Sequence, residues 1–504
     1  MECPMTCQTV CSARLLLDTF EEKSFDGDFV LPDYLPEIAA ILACELEPVI
    51  ENRQISGNRL AVDGTVSMRL VYVDNSRCRL FRYETSQPFS AGFTADGLTE
   101  PATVELSTTV SYVNYRAIGP RRVDVRGAYR VHARVTDTVC SELPCDTNDA
   151  SVHLRRHTVT ESLPIESASK LFAVNEVLDP GSDMIVGNII CTHGAVSVTD
   201  CKVLPGRVIL KGEIALYTLY ETGGDEDRPR YEECEHTLLY SQMLDMKTMT
   251  DADTVLTDVQ LLSCDIHAET EEGTGKSLLM ANLRLCAQAE AWRDKDVTVV
   301  TDAYSSVCPT TATTTIKTGY RLLGKFTRRL PVKQQVELPE GITDIVHLWC
   351  TCSPAGREEH GALCRLHIHL LAKDENGSIT CYERTAECPI ELPISGNVPR
   401  FSANVWDCSY HSKDNRSLEL SVTLELTGRD VLCSTQPVVT ALESDPSQAY
   451  PKPEATLKMV FANQGESVWE IAKNSHASAS AIMRENQLAE DQLAADMLLL
   501  IPIS

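Results

Sequence analysis

An alternation of apolar and polar residues runs through most of the chain and constrains its fold more than any other feature. It is clearest over residues 60–73, 123–135 and 417–426, and a period of two residues is typical of a strand with one buried face. Turn residues such as Pro205 and Gly206 separate these runs. The pattern therefore predicts a mainly β chain built of antiparallel sheets.

The strand pattern repeats at a spacing that is the size of a domain. Residues 57–72 resemble residues 206–220, and residues 361–372 form a weaker third copy, so that the copies begin 149 and 155 residues apart. A second long hairpin follows each copy, near residues 103–137, 256–293 and 400–433. We therefore predict an N-terminal segment and three related β domains, with boundaries at residues 1–25, 26–150, 160–305 and 315–442.

The C-terminal residues differ from the rest of the chain. The proline-containing residues 443–456 are typical of a linker, and residues 457–504 then show the order strand, helix, helix, strand. Ser467 can cap the first helix, on which Val468 and Ile471 share one face. This order predicts a small α+β (βααβ) domain.

The charge and the apolar content of the chain exclude several classes of partner and location. The chain has 72 Asp and Glu against 45 Lys and Arg, a formal net charge of −27. Nucleic acids and anionic membrane surfaces both attract Lys and Arg, so we expect neither as a partner. No apolar stretch approaches the roughly 20 residues of a membrane-spanning helix, and the N-terminus shows no secretory signal. We expect a cytoplasmic protein without a membrane span, whose 20 cysteines are thiols rather than a disulfide framework.

Two patterns contain the residue types of a metal site. In the first, Cys3, Cys7 and Cys11 recur every four residues, which would align them on one helix face as a metal clip or a cross-linking patch. Because chain termini are often untethered, we favour a disordered tail.

The second pattern lies in the third predicted domain and contains ligand types for zinc, namely Cys350, Cys352, His360, Cys364, His367 and His369. Alternation puts His367 and His369 on one strand face, but no C-x-x-C pair recurs. We favour core thiols and surface histidines, and we predict no metal site and no cofactor.

The chain shows no catalytic motif. Residues 271–277 end like a phosphate-binding loop, but position 270 is Thr where that motif requires Gly, and the segment lies between two strand-like runs. The acidic residues at 225–227 and 232–233 are typical of a solvated hairpin loop. Neither G-x-S-x-G nor H-E-x-x-H occurs, so we predict a protein that is not an enzyme.

The C-terminal domain contains three stretches that match one family motif. Residues 465–473 stand where that family has G-D-T-L-W-x-I-A, and residues 484–488 and 499–502 match as well. The domain therefore resembles LysM, a small βααβ domain that binds carbohydrate. Asp496 departs from the family, which usually has glycine just before the last strand.

The resemblance to LysM implies a ligand groove between two loops. The candidate binding residues are Gly465, Glu466, Ser467 and Val468 on one side and Asn486, Gln487 and Leu488 on the other. Backbone amides there could bind the acetamido groups of N-acetylglucosamine. The alternative is that Gly465 and Ser467 form only the turn and the cap, and that Val468 only packs in the core. Trp469 and Glu470 are expected to project from the first helix, within reach of a protein partner.

The first β domain shows a second family resemblance. It rests on residues 29–42, in which Glu37 replaces the usual Asp, on the hairpin of residues 62–72, and on residues 87–90. These stretches resemble the SPOCS domain of spore-coat-associated proteins, and the second and third domains keep mainly the hairpin. The order SPOCS then LysM is similar to that of spore coat morphogenetic proteins.

That family order implies a role in the mother cell at the surface of the forespore. There the LysM domain docks on the coat morphogenetic ATPase and tethers the coat. We therefore expect a non-enzymatic assembly protein, with this ATPase and other coat proteins as partners. The alternative is a LysM protein of the cell or spore envelope that binds peptidoglycan. A wall hydrolase is a third class, and it would need a catalytic domain that the sequence does not show.

Overall fold

The computed structural model describes residues 3–99, 102–181, 185–225, 228–271, 276–338, 341–358, 361–397, 400–414, 417–451 and 456–503. Of the described residues, 78% are in strands and 4% in helices, and the sheets are antiparallel. The prediction of a mainly β chain with antiparallel sheets is therefore confirmed.

Within the described residues, eighteen strands form three units of six strands that share one connectivity. In each unit the first, sixth and fifth strands form a long sheet, and the second, third and fourth strands form a short sheet. The first unit contains β1 (Met5–Val30), β2 (Ala40–Ser56), β3 (Arg59–Val73), β4 (Leu80–Thr94), β5 (Thr103–Gly119) and β6 (Arg122–Thr147). The second unit contains β7 (Val152–Leu178), β8 (Val186–Leu204), β9 (Arg207–Asp225), β10 (Arg228–Asp245), β11 (Thr254–Thr270) and β12 (Ser277–Ser305). The third unit contains β13 (Thr310–Glu337), β14 (Ile342–Glu358), β15 (Gly361–Asp374), β16 (Ile379–Glu391), β17 (Arg400–Asp414) and β18 (Ser417–Ser444).

A hydrophobic core between the two sheets holds each unit together. Every second residue of β3 from Leu60 to Leu70 is buried, and the same holds for β15 from Ala362 to Leu370. Side chains of a strand point alternately to its two faces, so the alternation in the sequence is what builds these cores. The three stretches that the repeat search singled out thus lie on the central strands of the three short sheets.

A β-bulge recurs at the corresponding position of each short sheet. Where the second strand of a unit pairs with the third, the register shifts after Ile41, Ile189 and Ile345. A bulge adds one residue and turns the side chains that follow it. The residues directly after these three bulges therefore occupy equivalent positions, and they are Ala43, Cys191 and His347.

The three units pack against one another through shared apolar clusters. The cluster between the short sheets includes Leu42 and Val71 of the first unit, Ile190 and Leu219 of the second, and Leu371 of the third. Further clusters of described residues join the long sheets of all three units. The units therefore form one continuous body around these contacts.

An ion-pair network crosses the contact between the long sheets. Arg429 of the third unit has its Nη1 atom 2.8 Å from Glu105 Oε1 in the first unit and its Nη2 atom 2.9 Å from Glu290 Oε2 in the second. Arg400 Nη1 also lies 2.9 Å from Glu105 Oε1. Burial raises the pKa of Glu290, and Arg429 opposes that shift. One guanidinium group thus neutralises carboxylates from both other units.

The prediction of a disordered N-terminal tail is wrong. β1 pairs with β6 from Met5 opposite Thr147 to Val30 opposite Arg122, so residues 5–25 belong to the long sheet of the first unit. The residues that pair with them on β6 lie more than 100 residues further along the chain. The local sequence gives no sign of pairing over such a distance.

The N-terminal cysteines have three different environments. Cys3 is buried in a cluster with Leu442, Cys7 is exposed, and Cys11 forms a disulfide with Cys140, which stands opposite it on β6. The expectation that every cysteine is a thiol is therefore wrong for this pair. No metal-binding group joins the three N-terminal cysteines among the described residues.

The sequence predicted two hairpin loops, and the structure agrees with one of them and differs from the other. Residues 271–277 connect β11 to β12, and Glu271 N donates to Lys276 O at 2.8 Å, as expected for a hairpin; residues 272–275 lie outside the described residues. The acidic residues 232–233 lie inside β10 and not in a loop, which corrects that prediction. Residues 226–227 lie outside the described residues.

Residues 457–502 form what we call the C-terminal module. It consists of β19 (Leu457–Ala462), α1 (Val468–Asn474), α2 (Ala479–Glu485) and β20 (Met497–Pro502), and β19 pairs with β20. The predicted order of elements is present, while the identity of the module as a LysM domain stays a prediction. Among the described residues, none of the helices has the length and apolar character to cross a bilayer.

The segment before the C-terminal module is held against the connection between β12 and β13. β18 continues to Ser444, a short 3-10 helix covers Pro446–Gln448, and Tyr450 N donates to Val307 O at 2.7 Å. The predicted linker of residues 443–456 is thus partly strand and helix, and residues 452–455 lie outside the described residues.

We expect Arg429→Ala to destabilise the three-unit body strongly. The substitution leaves Glu290 without its ion-pair partner and Glu105 with Arg400 alone, and removing one partner of a buried pair costs about 3–5 kcal/mol. The midpoint of urea unfolding, followed by circular dichroism, measures the effect. Arg365→Ala is the matched control, because Arg365 and Glu387 form a half-exposed pair in the same unit and such pairs contribute at most about 1 kcal/mol. Equal midpoints for the two variants would contradict the prediction.

Candidate functional site

The first helix of the C-terminal module is docked on the second unit. Trp469 is buried, its ring packs edge-on against Tyr304 at 4.9 Å, and its Nε1 atom donates to Asp302 Oδ2 at 2.8 Å. Lys473 Nζ donates to the same carboxylate at 2.8 Å, and Tyr304 OH donates to Ala477 O at 2.6 Å. The prediction that Trp469 projects toward a partner is therefore wrong, because the end of β12 covers it. Glu470 is exposed, as expected.

The loop between β19 and α1 is tied down by its own hydrogen bonds. Gly465 has a φ of +87°, which favours glycine, and its N–H donates to Leu493 O at 2.8 Å. The Glu466 N–H donates to Asn463 O at 3.2 Å. Gln464 N donates to Asp496 Oδ1 at 2.7 Å, so the residue that departs from the LysM pattern closes this loop. Gly465 and Glu466 are exposed, but their amide groups are already used.

Asp491 caps α1 from outside the helix. Ser467 is the N-cap residue, but its hydroxyl donates to Asp491 Oδ2 at 2.7 Å and makes no capping bond. Instead Trp469 N donates to Asp491 Oδ1 at 2.9 Å, and Val468 N donates to Asp491 O at 2.7 Å. Ser467 thus occupies the predicted N-cap position, but its side chain does not supply the capping bond. Val468 is fully buried in the core of the module.

The residues predicted on the other side of the groove serve the structure of the module. Asn486 Nδ2 donates to Ile482 O and Leu500 O, and its Oδ1 accepts from Leu500 N at 2.8 Å. Leu488 packs against the module's core, and Gln487 is exposed with a φ of +55°. The Asn486 amide is thus fully engaged by the ends of α2 and β20. As a glycan site, the predicted set of residues stays a prediction.

One face of the C-terminal module exposes several apolar side chains. Leu457, Met459 and Phe461 point outward from β19, with 45%, 64% and 65% of their surface exposed. Leu498 of β20 stands opposite Phe461 and is 54% exposed. We call these four residues the apolar face. Single exposed apolar residues are ordinary, but a contiguous group marks an interaction site.

A second group of functional side chains lies where the short sheets meet. Cys191 and His193 come from β8 of the second unit and His347 from β14 of the third, and their ligand atoms lie within 4.8 Å of one another. We call these three residues the Cys191 cluster. The His193 and His347 rings stack at 5.8 Å, and Trp349 stacks on His347 at 5.2 Å. Glu45 of the first unit accepts a hydrogen bond of 2.7 Å from Trp349 Nε1. All three units therefore meet at this cluster.

The groups of the Cys191 cluster shift one another's pKa values. Burial raises the pKa of the Cys191 thiol, but the charge of His347 and hydrogen bonds from His193 and His347 outweigh burial and lower the pKa to about 6. Burial lowers the pKa of His347, but Cys191 and Glu233 outweigh burial and raise it to about 10. Both shifts favour a thiolate beside an imidazolium, and the thiolate is the reactive and metal-binding form of cysteine.

The zinc-like pattern found in the sequence is divided between the two faces of a sheet. Cys350 and Cys364 are buried in the core of the third unit, which confirms core thiols there. His369 faces the other side, where its ring stacks on Trp349 at 4.9 Å and lies with Cys381 and Glu383; the expectation of a surface histidine is therefore wrong for His369. His360 lies outside the described residues.

Sequence reasoning missed the Cys191 cluster because its members are far apart in the chain. Cys191 and His347 are separated by 156 residues, so no local spacing connects them. The repeat was the available signal, because Ala43, Cys191 and His347 occupy equivalent positions after the three bulges. An alignment of the three units by these bulges would have brought the residues together.

Comparison with known families adds one match. The family model described as SipL, SPOCS domain, matches residues 37–118 and residues 186–269. These regions support the SPOCS family for the first and second units, and the matched family is a non-enzymatic sporulation family. No curated protein and no solved structure matches the chain. The second region extends the resemblance beyond the hairpin that the sequence indicated there.

We expect Trp469→Ala to release the C-terminal module from the second unit. The truncation removes the contact with Tyr304 and the hydrogen bond to Asp302, and truncating a buried Trp costs about 3–5 kcal/mol. Amide hydrogen exchange across α1 and the end of β12 should therefore become faster. Trp469→Phe keeps the ring contact and should show a smaller effect. Glu470→Ala is the control at an exposed neighbour, and wild-type exchange in Trp469→Ala would refute the docking role.

Proposed function

We propose that the chain is a SipL-like, non-enzymatic spore coat assembly protein. The SPOCS matches in two units support a sporulation-related role. In this proposal the protein acts in the mother cell at the forespore surface, where the β units contact coat proteins. The C-terminal module acts as a LysM domain that docks on the coat morphogenetic ATPase and tethers the coat.

The apolar face is the observation that carries the docking role. Its four side chains lie on one side of the two-stranded sheet, while α1 and α2 cover the other side. Burial of such side chains against a partner is favourable by roughly 25 cal/mol per Å² of apolar surface. A protein partner with a complementary apolar surface is therefore the occupant that we propose.

The hydrogen bonds of the module favour a protein partner over a glycan. A sugar would need free polar groups in the predicted groove. The N–H groups of Gly465, Glu466, Val468 and Leu488 donate within the module, and the Asn486 amide is engaged as well. Peptidoglycan binding remains the alternative function, and the experiment below distinguishes it.

We expect the double variant Met459→Ser and Phe461→Ser to lose binding to the coat ATPase. The loss of central apolar contacts in an interface typically costs 2 kcal/mol or more, about a 30-fold change in Kd. The purified 504-residue chain and its variants are titrated against the recombinant ATPase by biolayer interferometry. The matched control is Leu239→Ser, at a position on β10 that is 79% exposed.

The same proteins are tested for sedimentation with purified peptidoglycan. Wild-type Kd for the ATPase in the double variant would refute docking through the apolar face. Sedimentation of the wild-type chain with peptidoglycan, together with no binding to the ATPase, would support the alternative.

We also expect a tagged chain to accumulate around the forespore of sporulating cells and a chain without residues 457–504 to be diffuse. Fluorescence microscopy of the two strains measures this, and the Leu239→Ser chain with the same tag serves as the control. A diffuse signal from the intact chain would refute the tethering role, whatever the module binds.

A further inference from the structure

The Cys191 cluster has the composition and the placement of a metal site. Cys191 and His193 stand two residues apart on β8, so both side chains point to the same side of the sheet. His347 comes from the equivalent strand of another unit, directly after the same bulge. A bulge turns the side chain that follows it, and here it turns Cys191 and His347 toward one another.

The separations suit a metal of the first transition row. In a tetrahedral zinc site with Zn–S near 2.3 Å and Zn–N near 2.05 Å, the ligand atoms are about 3.3–3.6 Å apart. The three ligand atoms lie within 4.8 Å of one another, so small side-chain rotations close the site. Cys191 and His347 are 6% and 3% exposed, which excludes competing water from most of the cluster.

The carboxylate of Glu233 prepares His347 for this role. Glu233 Oε1 accepts a hydrogen bond from His347 Nδ1, which leaves Nε2 to face the cluster. Within the described part of the chain, the buried Nε2 atoms of His347 and His193 make no hydrogen bond of good geometry, and both imidazoles lie within reach of the Cys191 thiol. A metal-bound histidine usually donates its other ring N–H to a carboxylate in the same way. The hydrogen bond to His347 thus gives a structural reason for an acidic residue at position 233 of β10.

We propose that Cys191, His193 and His347 bind one Zn²⁺ ion that joins the second and third units. Thiolate and imidazole together favour zinc among the common cellular metals, and three protein ligands leave the fourth position for a water molecule. The ion replaces the proton at its ligands when it binds. This inference concerns the β units and does not depend on the docking of the C-terminal module.

Two other uses of the same neighbourhood are less well supported. A thiolate beside an imidazole and a carboxylate also occurs in cysteine nucleophiles, but the burial of Cys191 and His347 leaves no path for a polymer substrate. His369, Cys381 and Glu383 form a second possible group, in which the Glu383 side chain is 59% exposed. Both alternatives appear as outcomes of the test.

The test measures zinc in the 504-residue chain, purified without a histidine tag and without chelators. We expect about one zinc per chain by mass spectrometry of the metal, and a loss of that zinc in Cys191→Ala and His347→Gln. Glu233→Gln should weaken binding about 10- to 100-fold in competition with a chromophoric chelator. Co²⁺ should give a thiolate-to-metal charge-transfer band that Cys191→Ala lacks.

Controls keep the result independent of folding. Cys44→Ala removes another buried thiol and Cys381→Ala removes a thiol of the second group, and both should retain the zinc. If Cys191→Ala does not fold, the zinc affinity of Glu233→Gln tests the proposal instead. Glu233 is partly exposed, so we expect this variant to fold. A wild-type chain without stoichiometric zinc after reconstitution, unchanged affinity in Glu233→Gln, or loss of zinc in Cys381→Ala alone would each overturn the proposal. Rapid alkylation of Cys191 in the zinc-loaded chain would overturn it as well.

Discussion

The charge of Arg429 ties the three β units to one relative arrangement. Its guanidinium group lies between a carboxylate of the first unit and a carboxylate of the second, at 2.8 and 2.9 Å. A charge removed from water costs several kcal/mol unless a partner compensates it, and here each partner belongs to a different unit. The three charges are compensated together only in this arrangement. That arrangement also brings the equivalent strands β2, β8 and β14 together at the Cys191 cluster.

The alternation of apolar and polar residues made most of the fold predictable. The parts that were missed depend on pairing between residues far apart in the chain. The alternation at residues 60–70 gave β3 because a strand buries every second side chain, and the repeat indicated the other two short sheets. β1 was missed because its partner residues on β6 follow 92 to 142 residues later, and because the four-residue spacing of Cys3, Cys7 and Cys11 also fits a helix. Glu233 was assigned to a loop by its charge, whereas it lies on an outer strand of a short sheet where one side chain reaches His347.

In the candidate sites too, local features could be predicted from the sequence and contacts between distant residues could not. The small-residue turn at Gly465 could be predicted, since a φ of +87° favours glycine. The burial of Trp469 could not, because the covering residues Asp302 and Tyr304 belong to another unit. The Cys191 cluster was the hardest feature to predict from the sequence. Its residues come together only because equivalent strands of different units are packed against one another.

Repetition of the fold allowed the three units to diverge in chemistry. The position after the short-sheet bulge is Ala43 in the first unit, Cys191 in the second and His347 in the third, and the backbone is alike in all three. A strand needs only a side chain that fits this position, so the identity of the residue is free to change. The family match reaches the first two units, while the third contributes His347 and Arg429. The third unit, which lies outside the matched regions, thus contributes the arginine that pairs with carboxylates of the other two.

The contact between α1 and the end of β12 sets the orientation of the C-terminal module. A two-stranded sheet is not stable alone in water, and β19 and β20 depend on the helices that cover one face, with Tyr304 completing that core. The bond from Trp469 to Asp302 and the ion pair of Lys473 with the same carboxylate fix α1 on the end of β12. The four side chains of the apolar face stay exposed in this arrangement. Under the proposed function, a partner bound to the apolar face would be held at a defined orientation relative to the three units, as a tether between two layers requires.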